Sequence, residues 1–340
     1  MVEKIGLLLN LGTPDSPSVQ DVRRYLNQFL MDPDVIDLPW IVRKILVSFC
    51  IVPLRSAKSA HAYQSVWTKK GSPLLVNSLA LQQAVNEKTV QPIFMAMRYG
   101  SPSIEQQLLT IKKKYPAAEE IVILPLYPHY AGSTVKSCIK EINRVVKKLN
   151  IHCRLNIIPP FYQHSDYIDA LVATTRETLE QPYDHILFSY HGIPERHILK
   201  EDPTKKHCLQ QDCCKTASPA HATCYRYQVT KTTEYFAKKA KIPAGQYSMS
   251  FQSRLGKAKW LEPYTDKVLV ELAEKGIKRL LVICPSFTAD CLETVEEIGI
   301  RGRILFERAG GEKLTLVPCL NSHEAWVNAI LHWFSLTGLR

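Results

Sequence analysis

The sequence predicts an α/β protein made of two Rossmann-like, doubly wound domains, each on a parallel four-stranded sheet. Three observations carry that prediction. Short apolar strands alternate with helical stretches, the pattern of repeated βαβ units. The strand ends of the two halves pair off in order: "LLLNLGTP" resembles "ILFSYHGIP", and "VILPLYPHYAGST" resembles "LLVICPSFTADCLET". The second and third strand ends are about 30 residues apart in both halves, and the third and fourth about the same again, which reads as a diverged internal duplication.

In chain order, strands of the first half end in "IGLLLNLGTP", "PIFMAMRYGSP", "IVILPLYPHYAGST" and "RLNIIPPF". Those of the second half end in "HILFSYHGIP", "QYSMSFQSRLG", "LLVICPSFTADCLET" and "LTLVPCLN". The expected domains are 1–160, 161–321 and a C-terminal helical segment, 322–340, packing back on the core. The halves differ between their first and second strands. The first half inserts an apolar and basic stretch (about 36–58), the second a cysteine-rich one (about 200–225). Each insert follows the C-terminal end of a first strand, the edge where open α/β sheets bind ligands.

A chain of 340 residues with 46% hydrophobic residues can bury a large core, and its net charge of +11 points to a negative partner. The opening "MVEKIGLLLNLGTP" reads as a strand, not a secretory signal, and no stretch approaches the ~20 apolar residues of a membrane span. A cytoplasmic setting is the expectation, where thiols stay reduced and clustered cysteines point to metal before disulfides. Nucleic-acid binding has no recognition motif behind it. No GxxxxGK[ST] loop or GxGxxG fingerprint occurs, so no nucleotide cofactor is expected.

Two features carry chemistry. His191 directly follows the strand "LFSY", where a histidine either accepts a proton near neutral pH or is simply satisfied by turn backbone. In "FTADCLETVEEI", Asp290, Glu293 and Glu297 would share one face of an α-helix. Such a row is either a solvated acidic face or a relay for a divalent cation.

Together "FSYHGIP", "FQSRLG", "KWLEPYTD", "FTADCLETVEEI", "LLLNLGTP", "GSPL", "MRYGSP" and "LYPHYAGST" resemble the ferrochelatase family, in order and along the whole chain. The resemblance implies two Rossmann-like domains with a porphyrin cleft between them. It implies a lyase that inserts Fe(II) into protoporphyrin IX, the last step of haem synthesis in that branch. Insertion into coproporphyrin III is the close alternative, and a non-catalytic porphyrin or iron carrier the distant one.

Matched motif by motif, His191 is the implied metal-site or proton-accepting residue and Glu293 faces it across the porphyrin. Asp290 and Glu297 line the implied path for metal or protons. Arg98 and Tyr99 match the opposite wall. Leu11, Tyr127, Tyr130, Ser133 and Trp260 match pocket-lining positions, and Arg55 and Ser72 match groups holding the propionates. Two positions depart from the pattern: Cys291 stands where some members have His, and Tyr190 where others have a small residue.

The insert "PWIVRKILVSFCIVPLR" mixes apolar residues with Arg43, Lys44 and Arg55. As core it would bury charge, so an exposed lip is expected. Family members use such a lip to cover the cleft, in several at the membrane from which porphyrin arrives. The resemblance thus adds a peripheral association with the inner membrane and with the preceding porphyrin-producing enzyme. Both monomer and homodimer remain open.

Cys208, Cys213, Cys214 and Cys224 are spaced C-x4-C-C-x9-C. Adjacent cysteines are awkward ligands for one tetrahedral ion, whereas two irons bridged by sulfide relax that demand. Part of the ferrochelatase family carries a [2Fe–2S] cluster, and these four thiols are the expected ligands here. Zinc and free thiols are the alternatives. Cys50, Cys138, Cys153, Cys284 and Cys319 read as core.

Overall fold

The computed structural model describes residues 4–256 and 258–338. The chain divides into two compact units. One comprises the chain up to Tyr127, Gly132–Pro160 and the chain from Val327; the other comprises Pro128–Ala131 and Phe161–Trp326.

The first unit holds β1 (Lys4–Gly12), β2 (Ile93–Tyr99), β3 (Glu120–Pro125) and β4 (Arg154–Ile157), all parallel in the order β2-β1-β3-β4. Residues Ile5–Asn10 of β1 are buried without a break, as a central parallel strand covered on both faces requires. Helices α1 (Val19–Leu30), α4 (Pro73–Asn86), α5 (Ile104–Lys114) and α6 (Ser137–Leu149) make the connections. Their starts are written locally: Ser18, Ser72 and Ser103 each accept a main-chain N–H of the first turn, and Ser103 with Gln106 completes a capping box. Gly12 has φ +108°, and a Cβ there would lie 1.7 Å from the carbonyl oxygen of Tyr99, so only glycine lets β1 end against β2.

The first insert is helical: α2 (Trp40–Ile45), a π-helical stretch (Leu46–Ile51) and α3 (Val52–Val66). Trp40, Ile41, Val42, Ile45, Phe49 and Leu54 are all exposed. The expectation that its charges stay outside fails for Arg43. That side chain is buried and donates to the carbonyls of Ile36 (3.2 Å) and Leu38 (2.7 Å), so it braces the segment rather than solvating it. Cys50 is likewise exposed rather than core, because it lies on the outer side of the π-helical stretch.

The second unit repeats the plan with β5 (His185–His191), β6 (Tyr247–Gln252), β7 (Arg279–Ile283) and β8 (Lys313–Leu316), parallel in the order β6-β5-β7-β8. Helices α7 (Ser165–Leu179), α8 (Glu195–Glu201), α9 (Tyr225–Lys239), α10 (Thr265–Glu274) and α11 (Arg303–Arg308) belong to it. Its core gathers Leu187, Leu269, Leu280, Val282, Ile298 and Phe306. The last helix, α12 (Glu324–Leu336), has Trp326 at 0% exposure, with Val327, Ile330, Trp333 and Phe334 also buried. Among the described residues, no helix is long and apolar enough to cross a membrane.

Candidate active site

In the second sheet the chain runs from β5 to β6 on one side, and from β7 to β8 on the other. The switch point between β5 and β7 is where open α/β sheets leave a ligand crevice. His191 ends β5 there and is half-buried. Its Nδ1 lies 2.6 Å from the carbonyl oxygen of Gly192. A carbonyl only accepts, so Nδ1 donates to Gly192 and Nε2 is the ring nitrogen left for chemistry. The Tyr225 hydroxyl holds the carbonyl of His191 at 2.8 Å and meets Ser286 Oγ at 2.8 Å.

The chain after β7 turns through "PSFTADCL" into a π-helical segment, Glu293–Gly302. The expected α-helix with three acids on one face is therefore replaced. Asp290 precedes the helix and acts as its anchor: its carboxylate accepts from Asn321 Nδ2 (2.7 Å), Thr294 Oγ1 (3.1 Å) and Cys319 N (3.3 Å). Glu293 and Glu297 stand in the helix, where the wider i→i+5 turn nearly superposes residues four apart. Burial raises the Glu297 carboxyl above the usual carboxylate range. Glu293 adds to the rise, while Ser253, His191 and Arg301 oppose it. Glu297 is thus within electrostatic reach of both His191 and Glu293. An imidazole and a carboxyl held close to its proton form a pair suited to moving protons.

Trp260 lies beside this group. It is buried, its Nε1 donates to Leu255 O (3.1 Å), and its ring would lie 3.4 Å from a Cβ at Gly192. Tyr130, also in this unit, donates to Glu201 at 3.0 Å.

The remaining sequence-derived candidates belong to the first unit. Arg55 is exposed on α3, Leu11 and Ser133 are half-buried, and Ser72 is buried as the cap of α4. Arg98 and Tyr99 converge on Asp32, which the sequence reading missed. Asp32 accepts from Arg98 Nη2 (2.5 Å), Tyr99 Oη (2.8 Å) and Ser137 Oγ (2.6 Å). Burial alone would raise the Asp32 carboxyl, but these partners and Asp34 N–H outweigh it and hold the carboxyl below its ordinary range. Tyr127 is buried, with its hydroxyl 3.6 Å from Cys138 Sγ.

The cysteine-rich insert has little regular structure between α8 and α9. Asp202 organises its start, accepting main-chain N–H groups of Thr204 (2.8 Å), His207 (2.9 Å) and Cys208 (2.8 Å). His207 and His221 both meet the carbonyl of Cys213. The four thiols are gathered: Cys213 Sγ and Cys214 Sγ lie 3.9 Å apart, and Cys224 interacts with both Cys208 and Cys214. Thiolates tetrahedral about one metal at ~2.3 Å would be about 3.8 Å apart, so adjacent Cys213 and Cys214 have the spacing of two ligands on one metal, against the expectation that neighbours are awkward there. Burial raises the Cys208 thiol to about 11, so metal binding there would release protons. Among the described residues, no three His, Cys, Asp or Glu side chains are grouped so as to hold a single ion.

Comparison with known proteins agrees with the motifs. The family model described as Ferrochelatase matches residues 4–335. The chain is 53% identical over 333 residues to the ferrochelatase of Pseudomonas fluorescens (strain Pf0-1), and 52% identical over 334 residues to that of Stutzerimonas stutzeri (strain A1501). Each alignment covers 97% of both chains. Among solved structures, SirB from Bacillus subtilis with Fe3+ is similar in fold, with a TM-score of 0.57 at 14% identity, covering 98% of this chain and 95% of that one. The strand-end histidine, the acidic π-helical segment and this family match converge: the chain belongs to the ferrochelatase family.

Proposed function

We propose that the protein inserts Fe(II) into protoporphyrin IX and releases two protons, with His191 and Glu293 facing the macrocycle centre. The observation that carries this reading is His191 at the switch point, its Nδ1 engaged by the Gly192 carbonyl and its ring within electrostatic reach of Glu297. Insertion replaces two pyrrole N–H protons by one divalent ion. Nε2 of His191 takes one proton and the Glu293–Glu297 carboxyl pair takes the other, each then passing to solvent. Oxidation state does not change, so neither reductant nor nucleotide is needed. Iron approaches along Glu297 and Glu293, with Asp290 anchoring the turn that presents them. Arg98, Tyr99, Leu11, Tyr127, Tyr130, Ser133 and Trp260 are proposed porphyrin contacts, and Arg55 and Ser72 propionate contacts, on the strength of their motif match.

Cys208, Cys213, Cys214 and Cys224 would hold a [2Fe–2S] cluster, which suits thiols gathered pairwise in a loop with few apolar residues. The cluster would close the insert, and the redox-neutral reaction draws no electrons from it. The exposed apolar side chains of α2 and the π-helical stretch, with Lys44 and Arg55 exposed alongside, would seat the protein on an anionic membrane surface.

Anaerobic purification, an absorption spectrum, and then turnover with Fe(II) and either protoporphyrin IX or coproporphyrin III test all three parts. The expected result is a coloured protein with about two irons and two sulfides per chain that prefers protoporphyrin. Preference for coproporphyrin, porphyrin binding without turnover, or a colourless zinc protein would each overturn the corresponding part.

A further inference from the structure

Resting on the reading of His191 and Glu293 as the proton-handling pair, we propose that Gln252 is the positioning residue that sets their separation. Gln252 ends β6 and stands in register with His191 across the β5–β6 ladder. Its side chain is almost fully buried, 2% exposed, and bonded at both ends. Oε1 accepts from Ser189 Oγ (2.7 Å) and Cys284 Sγ (3.7 Å), while Nε2 donates to the main-chain carbonyl of Glu293 (2.7 Å). Its own carbonyl accepts Gly192 N–H at 2.7 Å. A Cβ at Gly192 would lie 2.9 Å from that carbonyl oxygen, so the contact requires glycine there.

One residue therefore joins the strand carrying His191 to the first turn of the helix carrying Glu293. An amide is the one side chain of this length that can accept from Ser189 and donate to a carbonyl at the same time. The next residue extends the grip. Ser253 has φ +67°, a left-handed conformation that non-glycine residues rarely adopt. There its N–H (2.9 Å) and hydroxyl (2.5 Å) both reach the Glu297 carboxylate. Two consecutive residues thus hold two of the segment's glutamates, Glu293 through its backbone and Glu297 through its side chain. Misplacing a proton acceptor by about 1 Å costs on the order of 10²-fold in rate, so such a grip bears on turnover rather than on porphyrin affinity.

The test is a double-mutant cycle between Gln252→Met and Glu293→Gln, read as kcat and as KM for protoporphyrin with Fe(II) saturating, with melting temperatures measured alongside. Gln252→Met should lower kcat about 10- to 100-fold with KM changed less than about threefold. Added to Glu293→Gln it should cost little more, because both act through one group. Gln252→Glu keeps the length and the acceptor but sets an oxygen against the Glu293 carbonyl, and should lose kcat at least as far. Additive losses, or KM rising as kcat falls, would mean that Gln252 acts on porphyrin binding or on the fold at large. Both Gln252 variants failing to fold would make it a core strut and end the proposal. If Glu293→Gln alone turns over normally, the proton-handling reading fails, and a large Gln252→Met effect then stands without that explanation.

Discussion

The two sheets share one strand order and one run of connections, yet their C-terminal ends carry opposite chemistry. In the first unit β1 ends in Asn10, Leu11 and Gly12, and the π-helical turn after β3, Gly132–Lys136, bears Ser133 and Lys136 and no acid. Its buried carboxylates are all paired: Asp32 is saturated by Arg98, Tyr99 and Ser137, Asp34 meets Lys140, and Glu120 meets Lys4 and Arg154. In the second unit the matching strand ends in His191, and the matching π-helical segment bears Glu293, Glu296 and Glu297. The carboxyl of Glu297 is held close to its proton instead of being locked as an anion. A duplicated scaffold thus keeps two equivalent crevices and loads only one with groups free to exchange protons. The other half's buried carboxylates are committed to ion pairs.

Breaking either member of that contrast should have different signatures. His191→Ala in the second unit should keep porphyrin binding and lose turnover by about 10² to 10⁴, measured by fluorescence titration and initial rates. Asp32→Asn in the first should act on stability. It leaves the half-buried Arg98 without its counter-ion, a loss of up to about 3 kcal/mol readable by urea denaturation, with residual activity following the folded fraction. If Asp32→Asn keeps its stability and loses only turnover, the contrast is wrong.

A buried titration sharpens the comparison. Burial pushes the His129 imidazole down to about 3, and its Nε2 lies 2.9 Å from Thr232 Oγ1. The unfolded chain therefore binds the proton more readily than the native one below about pH 6.5. Stability from this group is complete above that pH and is lost as pH falls toward 3. His129→Phe should flatten the fall in melting temperature between pH 6.5 and 4; an unchanged slope would assign the acid sensitivity elsewhere. Glu297 acts in the opposite sense. Its raised carboxyl makes the native state the better proton binder, so stability is lost as pH rises through that raised value. Glu297→Gln should gain melting temperature at pH 8 relative to wild type, and no gain would contradict the cause given for its shift.

The smallest effect is expected at the lip. Replacing Trp40, Ile41 and Ile45 by serine removes exposed apolar surface, so the melting temperature should hold while liposome cosedimentation falls. Unchanged partitioning at low salt would remove the membrane role.

The sequence made the parallel sheets, the duplication and His191 legible, because strand hydrophobicity and strand-end residues are local signals. Three things were not. The π-helical geometry after β7 depends on how "LETVEEI" packs, and an α-helical period misplaces Asp290 by putting it in the acidic row. Burial of Arg43 depends on carbonyls of Ile36 and Leu38 that present themselves only once α2 turns back. The roles of Asp32 and Gln252 come from partners 66 and 41 residues away, which no spacing rule reaches. "FQSRLG" was visible as a motif, but nothing in it separates a contact residue from a residue that positions others.

The central claim is that proton handling sits in the second unit, on His191 and Glu293. Single-turnover mixing of Fe(II) with porphyrin-loaded protein, wild type against His191→Ala and Glu293→Gln, tests it most directly. Both variants should hold porphyrin with near-native affinity and insert iron at least about 10²-fold more slowly. Insertion at the wild-type rate in either variant would contradict the account.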